Sequence, residues 1–230
     1  MFTGLSWAIR PQLVEWAEVI AYDARELVDE PAGTLGHEDA AERGLAAWDD
    51  RGWDSCFIAG DGFGVAVALQ IAVRRPDRVE GLALGHAALS QRRDGDRPPI
   101  NDAVWSTMME MLRTDSEAFI RNAFVQLTRG SFDEDLMRRM MTLYSPERLE
   151  EEWLTLTRPD LEFSETLKEL DLPMLLGKHE GCLLHTDEGY EDAVAAFPDA
   201  RTVSTEDACS TDPRFGEAMQ EFCEEVLRSA

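Results

Sequence analysis

The residues with the most chemical potential lie in one short stretch, Cys56-Phe-Ile-Ala-Gly60-Asp61-Gly62-Phe63-Gly64. It sets a carboxylate, Asp61, among three alternating glycines, where an apolar run gives way to a helical pattern. Alternating glycines after a strand are one way to cradle phosphate, because they let backbone N–H groups approach an anion. That design needs a third glycine three residues after the second, and Val65 stands there; the lysine of a phosphate-binding loop is absent too. The stretch fits another design better: a sharp strand-to-helix turn of the pattern small-x-nucleophile-x-small, with Gly60 and Gly64 as the small flanks. In that frame the nucleophile position holds Gly62, which has no side chain and forms no covalent intermediate. Moving the frame to Asp61 puts Phe63 at the second small position, which is sterically poor.

Two histidines offer different chemistry. His86 and His179 each end an apolar run. With Asp61 and Glu180 they make an alternative acid–base set, suited to a lyase, isomerase or decarboxylase step that needs no nucleophile. The competing reading is that each is a hydrogen-bonded rim residue. The four cysteines, Cys56, Cys182, Cys209 and Cys223, include no CxxC pair and match no zinc spacing. No metal and no cofactor is therefore expected, and a reduced, cytoplasmic protein is the expectation.

These residues need elements to position them. Short apolar runs alternate with helical patterns, the signature of a parallel sheet with crossover helices. The expected strands are Ala17–Tyr22, Ser55–Gly60, Val79–His86, Pro173–His179 and Ala200–Thr205, rich in the Val, Ile, Leu and Phe of buried strands. Helices are expected at Val65–Arg75, Asp187–Ala196 and Asp212–Arg228. Between about Ser90 and Leu170 the alternation stops. Helical patterns alone follow, at Ala103–Arg113, Ser116–Thr128, Glu134–Tyr144 and Pro146–Thr155, and read as an inserted all-helical segment. It is rich in methionine, with Trp105 and Trp153. Met and Trp suit helix packing first, and a flexible apolar ligand second.

The turn, its helix, the corner Arg75-Pro76-Asp77-Arg78-Val79 and the strand Glu80-Gly-Leu-Ala-Leu84 follow one another without a gap. This block resembles the α/β-hydrolase superfamily. Trp7-Ala-Ile-Arg-Pro-Gln-Leu13, Val19-Ile-Ala-Tyr-Asp23, Leu172-Pro173-Met-Leu-Leu-Gly177 and Phe197-Pro-Asp-Ala-Arg201 extend the likeness over nearly the whole chain. The resemblance implies an α/β fold of the α/β-hydrolase kind, a mostly parallel sheet of five to seven strands flanked by helices. Residues 1–90 and 170–230 would form its core, residues 91–169 a helical cap, and the N-terminal part of the sheet would be truncated. An uncovered sheet edge would then invite a partner strand, so a homodimer is expected.

The resemblance also implies a degenerate catalytic triad. Gly62 holds the nucleophile position, Cys182 or its neighbour Glu180 the acid position, and Ser210 the histidine position; no histidine follows His185. The oxyanion loop near Thr3-Gly4-Leu5 is incomplete in context, and Glu26-Leu-Val-Asp-Glu30 replaces a glycine-rich turn. The expectation is a pseudoenzyme without serine-hydrolase activity. It would bind a small apolar ligand beneath the cap, through Leu5, Asp61, Phe63, His86, Trp105 and Met109, or act as a non-catalytic homologue. The alternatives are a non-triad acid–base enzyme using Asp61, His86 or His179 on a biosynthetic intermediate, and a weak or atypical hydrolase. Cys182 and Cys209 fall at or beside positions that touch in a working triad, so a disulfide or close thiol pair is geometrically open to them.

Bulk properties narrow the partners. The 230 residues carry 46 acidic against 22 basic side chains, a formal charge of −24. Such a surface repels nucleic-acid phosphates and anionic lipid, so neither is an expected partner. No run of 18 apolar residues occurs to span a membrane, and the first ten residues lack the pattern of a secretion signal.

Overall fold

A computed structural model describes residues 10–20, 37–87, 102–127, 134, 138, 170–183 and 185–229. Four parallel strands lie in the order β1-β2-β3-β4: β1 (Cys56–Asp61), β2 (Val79–Gly85), β3 (Met174–His179) and β4 (Arg201–Thr205). Register is continuous across the sheet, with Asp61 opposite Gly85, Gly85 opposite Gly177 and His179 opposite Thr205. The carboxyl ends of all four strands therefore finish along one edge.

Seven helices are described: α1 (Arg10–Leu13), α2 (His37–Arg51), α3 (Phe63–Arg74), α4 (Asp102–Thr114), α5 (Ser116–Leu127), α6 (Asp187–Ala196) and α7 (Pro213–Ser229). Right-handed crossovers between parallel strands that advance in one direction put their helices on one face. Accordingly α3 and α6 share a face with α2, in a core built on Trp48, Leu69, Ile71, Leu82, Leu84 and Leu176. After β4 no strand follows, and α7 covers the opposite face. Its buried Phe215, Ala218, Met219, Phe222 and Cys223 recur at helical spacing and meet Ala59, Ala83 and Leu175 of the sheet. Both faces are thus covered, as the continuous apolar composition of the strands requires.

Local chemistry fixes the corners. Arg78 closes the turn before β2: its Nε donates to the Asp54 carbonyl at 2.8 Å, a second nitrogen donates to Trp53, and a third pairs with Asp49 at 2.8 Å, while the guanidinium lies 4.6 Å from the Trp48 ring. Asp212 sets the start of α7. One carboxylate oxygen accepts from the Arg214 N–H at 2.9 Å and the other from the Glu206 N–H at 2.8 Å. The first satisfies a donor that a helix start leaves open, and the second ties the loop after β4 to that start.

Five of the seven expected helices and four of the five expected strands form within two residues of their predicted ends. The exception among the strands is Ala17–Tyr22. Ala17 is a bend and Glu18–Ile20 join no ladder, while Ala21 and Tyr22 lie outside the described residues. Val19 and Ile20 line a hollow beside β1 instead. Their apolar character is used in packing without strand pairing, a distinction that composition does not make. Within residues 91–169 the described elements are helices only, with Met109, Leu112, Phe119 and Ile120 buried. The helices expected at Glu134–Tyr144 and Pro146–Thr155 lie almost wholly outside the described residues.

Candidate active site at the carboxyl ends of the strands

The turn after β1 has the geometry its sequence predicts. Gly62 adopts φ 54° and ψ −119°, a positive φ that residues with a side chain rarely adopt. A Cβ on Gly60 would come within 2.2 Å of the Gly64 carbonyl oxygen, so the close approach of strand and helix demands the flanking glycine. A Cβ on Gly62 itself would meet nothing within 4 Å. The turn therefore has room for a side chain at position 62.

Chemistry gathers one residue earlier. Asp61 ends β1, His86 follows β2 and His179 ends β3, all three buried. His86 takes a left-handed φ of 52°, unusual for a residue with a side chain. Its Nδ1 lies 2.5 Å from Asp61 Oδ1, and its Nε2 lies 3.2 Å from His179 Nδ1. Gly85 and Gly177 make the room: a Cβ on Gly85 would sit 2.7 Å from Asp61 Oδ1 and 2.6 Å from Cys209 Cβ, and one on Gly177 would sit 2.9 Å from Cys209 Sγ.

The loop after β3 adds two groups. Cys182 Sγ lies 3.4 Å from His185 Nδ1, and the His185 ring stands 5.1 Å from the His86 ring. His86, His179, Cys182 and His185 border a void of about 20 Å³. Lys178, at its rim, pairs with Asp187 at 3.0 Å and Glu180 at 3.4 Å.

Electrostatics sharpen the contrast among these groups. Burial alone would raise the Asp61 carboxyl, but the charge and hydrogen bond of His86, with the charge of His185, bring it down to about 2. Burial would lower His86, and the Asp61 charge and hydrogen bond overcome it, holding the imidazole well above its ordinary value. Burial would likewise raise the Cys182 thiol; hydrogen bonds with His179, His185 and His86 outweigh it and lower the thiol to about 2. Cys209 goes the other way, because burial dominates and raises it. The cluster thus sets a lowered carboxyl and thiol, Asp61 and Cys182, against a raised imidazole and thiol, His86 and Cys209.

The sequence-predicted residues distribute unevenly. Asp61, His86 and His179 come together, with Cys182 beside them and Ser210 fully buried next to Asp61. Glu180 points away, accepting from the Ser204 hydroxyl at 2.8 Å. Met109 is buried in α4; Phe63 and Trp105 belong to α3 and α4; Leu5 lies outside the described residues. All four cysteines are free, so Cys182 and Cys209 form no disulfide. The sequence reading missed His185, whose signal was the local pair Cys182-x-x-His185.

A second hollow, of about 370 Å³, lies beside β1, away from these groups. Trp16, Trp48, Phe57, Ile58, Met219 and Phe222 are among its walls. It does not include the residues expected to bind a ligand beneath the cap.

No family model matches the sequence, and no curated protein matches it. Solved structures do. A membrane phospholipase A, described as a bacterial virulence factor, is 17% identical, with a TM-score of 0.78 over 100% of this chain and 78% of that one. A hydrolase from Oleispira antarctica is 9% identical, with a TM-score of 0.72 over 98% and 89% of the two chains. A haloalkane dehalogenase loop variant from Bradyrhizobium elkanii is 17% identical, with a TM-score of 0.70 over 99% and 89%. Identities this low carry the architecture and not the activity. Together with the parallel sheet, the covered faces and the strained glycine turn, they identify the chain as one with the α/β-hydrolase fold.

Proposed function

We propose that this chain is an acid–base enzyme that works without a covalent serine intermediate, with His86 as its proton carrier. The observation that carries this reading is the convergence of His86 on Asp61 at one ring nitrogen and on His179 at the other, at the edge of a small void. A buried carboxylate behind one nitrogen fixes the ring and favours its cationic form, which leaves Nε2 to give or take a proton. His179 lies next in line to pass that proton on. Gly62 supplies no nucleophile, so bond cleavage or rearrangement proceeds by direct proton transfer or by an activated water.

The test is turnover of a panel of p-nitrophenyl esters, with and without a serine-directed phosphonate. We expect turnover that is insensitive to the phosphonate and falls at least about a hundredfold in His86→Gln, the usual scale for general acid–base catalysis. Absence of turnover, abolition by the phosphonate, or full activity in His86→Gln would each sink the reading.

A second reading has its own observation. The hollow of about 370 Å³ beside β1 has the size and apolar walls of a small-molecule site. In this reading the chain binds an apolar ligand there without transforming it. Native mass spectrometry of the purified chain would then show a bound small molecule that is lost in Ile58→Trp, and an unliganded mass in both proteins would remove the reading.

A further inference from the structure

We propose that His86, Cys182 and His185 hold a thiophilic divalent ion of the zinc class, with Asp61 orienting His86 from behind. The inference goes beyond the reading above and does not rest on it: with the ion on Nε2, His86 is a ligand and carries no proton there, and the acid–base role passes to an ion-bound water.

The first ground is geometry. One donor atom from each of the three residues lies within 4.8 Å of the others. The Cys182 Sγ to His185 Nδ1 distance is 3.4 Å. A tetrahedral ion with zinc–nitrogen bonds of about 2.0 Å and a zinc–sulfur bond of about 2.3 Å separates neighbouring N and S donors by about 3.5 Å. The pair already stands at the spacing of one tetrahedral edge.

The second ground is the support behind the donors. His86 gives its Nδ1 to Asp61 at 2.5 Å, so its binding atom is Nε2, which stands 3.2 Å from His179 Nδ1 and would exchange that contact for the ion. A histidine ligand held by a carboxylate on its other nitrogen is the usual outer arrangement of metal sites. The void of about 20 Å³ bordered by His86, His179, Cys182 and His185 holds one ion or one water, which needs about 10–15 Å³. A thiol with two imidazoles selects a borderline-soft ion over calcium or magnesium, which take oxygen.

A second grouping, Asp61, His86 and Cys209, is also compact. Its Asp61–His86 contact of 2.5 Å is a hydrogen bond, since two ligands on one tetrahedral ion stand about 3.3 Å apart. That excludes it in favour of the first. Three protein ligands leave a fourth position, beside His179, where an ion-bound water would be activated.

The experiment uses the purified chain with zinc and cobalt(II) as probes. Zinc titrated against a chromophoric chelator should bind at one equivalent per chain. The cobalt form should show a sulfur-to-cobalt charge-transfer band, absent in Cys182→Ala. Cys182→Ala and His185→Ala should each weaken zinc at least tenfold and Asp61→Asn about 10–100-fold, whereas Cys223→Ser should bind as the parent does. Circular dichroism checks that each variant is folded, and His185→Ala, on the less buried loop, keeps the test alive should an Asp61 variant unfold. No zinc bound by the parent, undiminished zinc in Cys182→Ala and His185→Ala, or loss only in Cys209→Ser would overturn the proposal. Ester turnover without zinc binding would sink the ion and spare the acid–base reading; zinc binding without turnover would do the reverse.

Discussion

The hollow beside β1 holds about 370 Å³ and is walled by Trp16, Trp48, Phe57 and Phe222; the void at the strand ends holds about 20 Å³ and is bordered by three histidines and a cysteine. The larger has room and few reactive groups, chiefly the thiols of Cys56 and Cys223, both raised by burial. The smaller has little room and a carboxylate, imidazoles and a thiolate in mutual reach. Volume follows from where the described elements leave a gap beside β1. Chemistry follows from where parallel strands stop, because loops that leave one edge of a sheet converge there. In this molecule the two have separated.

The comparison can be broken at its most buried point. Asp61→Ala strands the His86 charge in the interior, and removing one partner of a buried ion pair costs about 3–5 kcal/mol. Urea unfolding should show that loss, whereas Ser55→Ala, at the wall of the larger hollow, should stay within about 0.5 kcal/mol. Equal losses at the two sites would erase the distinction. Gly85→Ala comes next. Its methyl would press on Asp61 Oδ1 and Cys209 at 2.7 and 2.6 Å, and overpacking of this kind costs about 1–3 kcal/mol. The same unfolding assay checks it.

Reactivity sharpens the contrast between thiols. Cys182 is a thiolate at the rim of the small void, whereas burial keeps Cys56 protonated in the wall of the large one. Iodoacetamide at neutral pH should modify Cys182 at least about tenfold faster than Cys56, read by peptide mass spectrometry, because the thiolate is the nucleophile. Equal rates would show that the two environments do not differ as described.

The smallest effect concerns a carboxylate of purely structural use. Asp212 is buried, and its carboxyl is pulled below the ordinary value: burial opposes this, and backbone hydrogen bonds from Arg214, Asp207 and Glu206 prevail. A lowered folded value means its contribution is present above the unfolded value of about 3.9 and is lost as pH falls through the folded one. Asp212→Ala should cost about 1 kcal/mol at neutral pH, a cost that shrinks as acid protonates the parent. A cost that is constant from neutral pH into acid would place the stabilisation elsewhere than in the carboxylate.

Much of the core was legible because each element carries its own signal. The continuous apolar runs at Cys56–Asp61 and Val79–Gly85 mark strands buried on both faces, and Gly60-x-Gly62-x-Gly64 marks a turn where strand and helix approach too closely for a side chain at Gly60. Ala17–Ile20 misled because a short apolar run without a ladder partner looks the same in sequence as one with a partner. The site was half legible. Asp61, His86 and His179 stood at strand ends, where function collects. His185 carried only a three-residue spacing to Cys182, which is no metal motif by itself.

The sequence by itself determined the fold, the glycine at position 62 of the strand-to-helix turn and the lack of a histidine after His185, since these depend on residue identity and local pattern. The tertiary structure decided which of the surviving groups meet. His86 and His179 are 93 residues apart and touch because β2 and β3 pair in a register that sets Gly85 beside Gly177. His86 turns toward Asp61 because its backbone adopts φ 52°, and Cys182 faces His185 because the loop after β3 folds back. Contacts of that kind rest on register and loop direction, which no single stretch of sequence encodes.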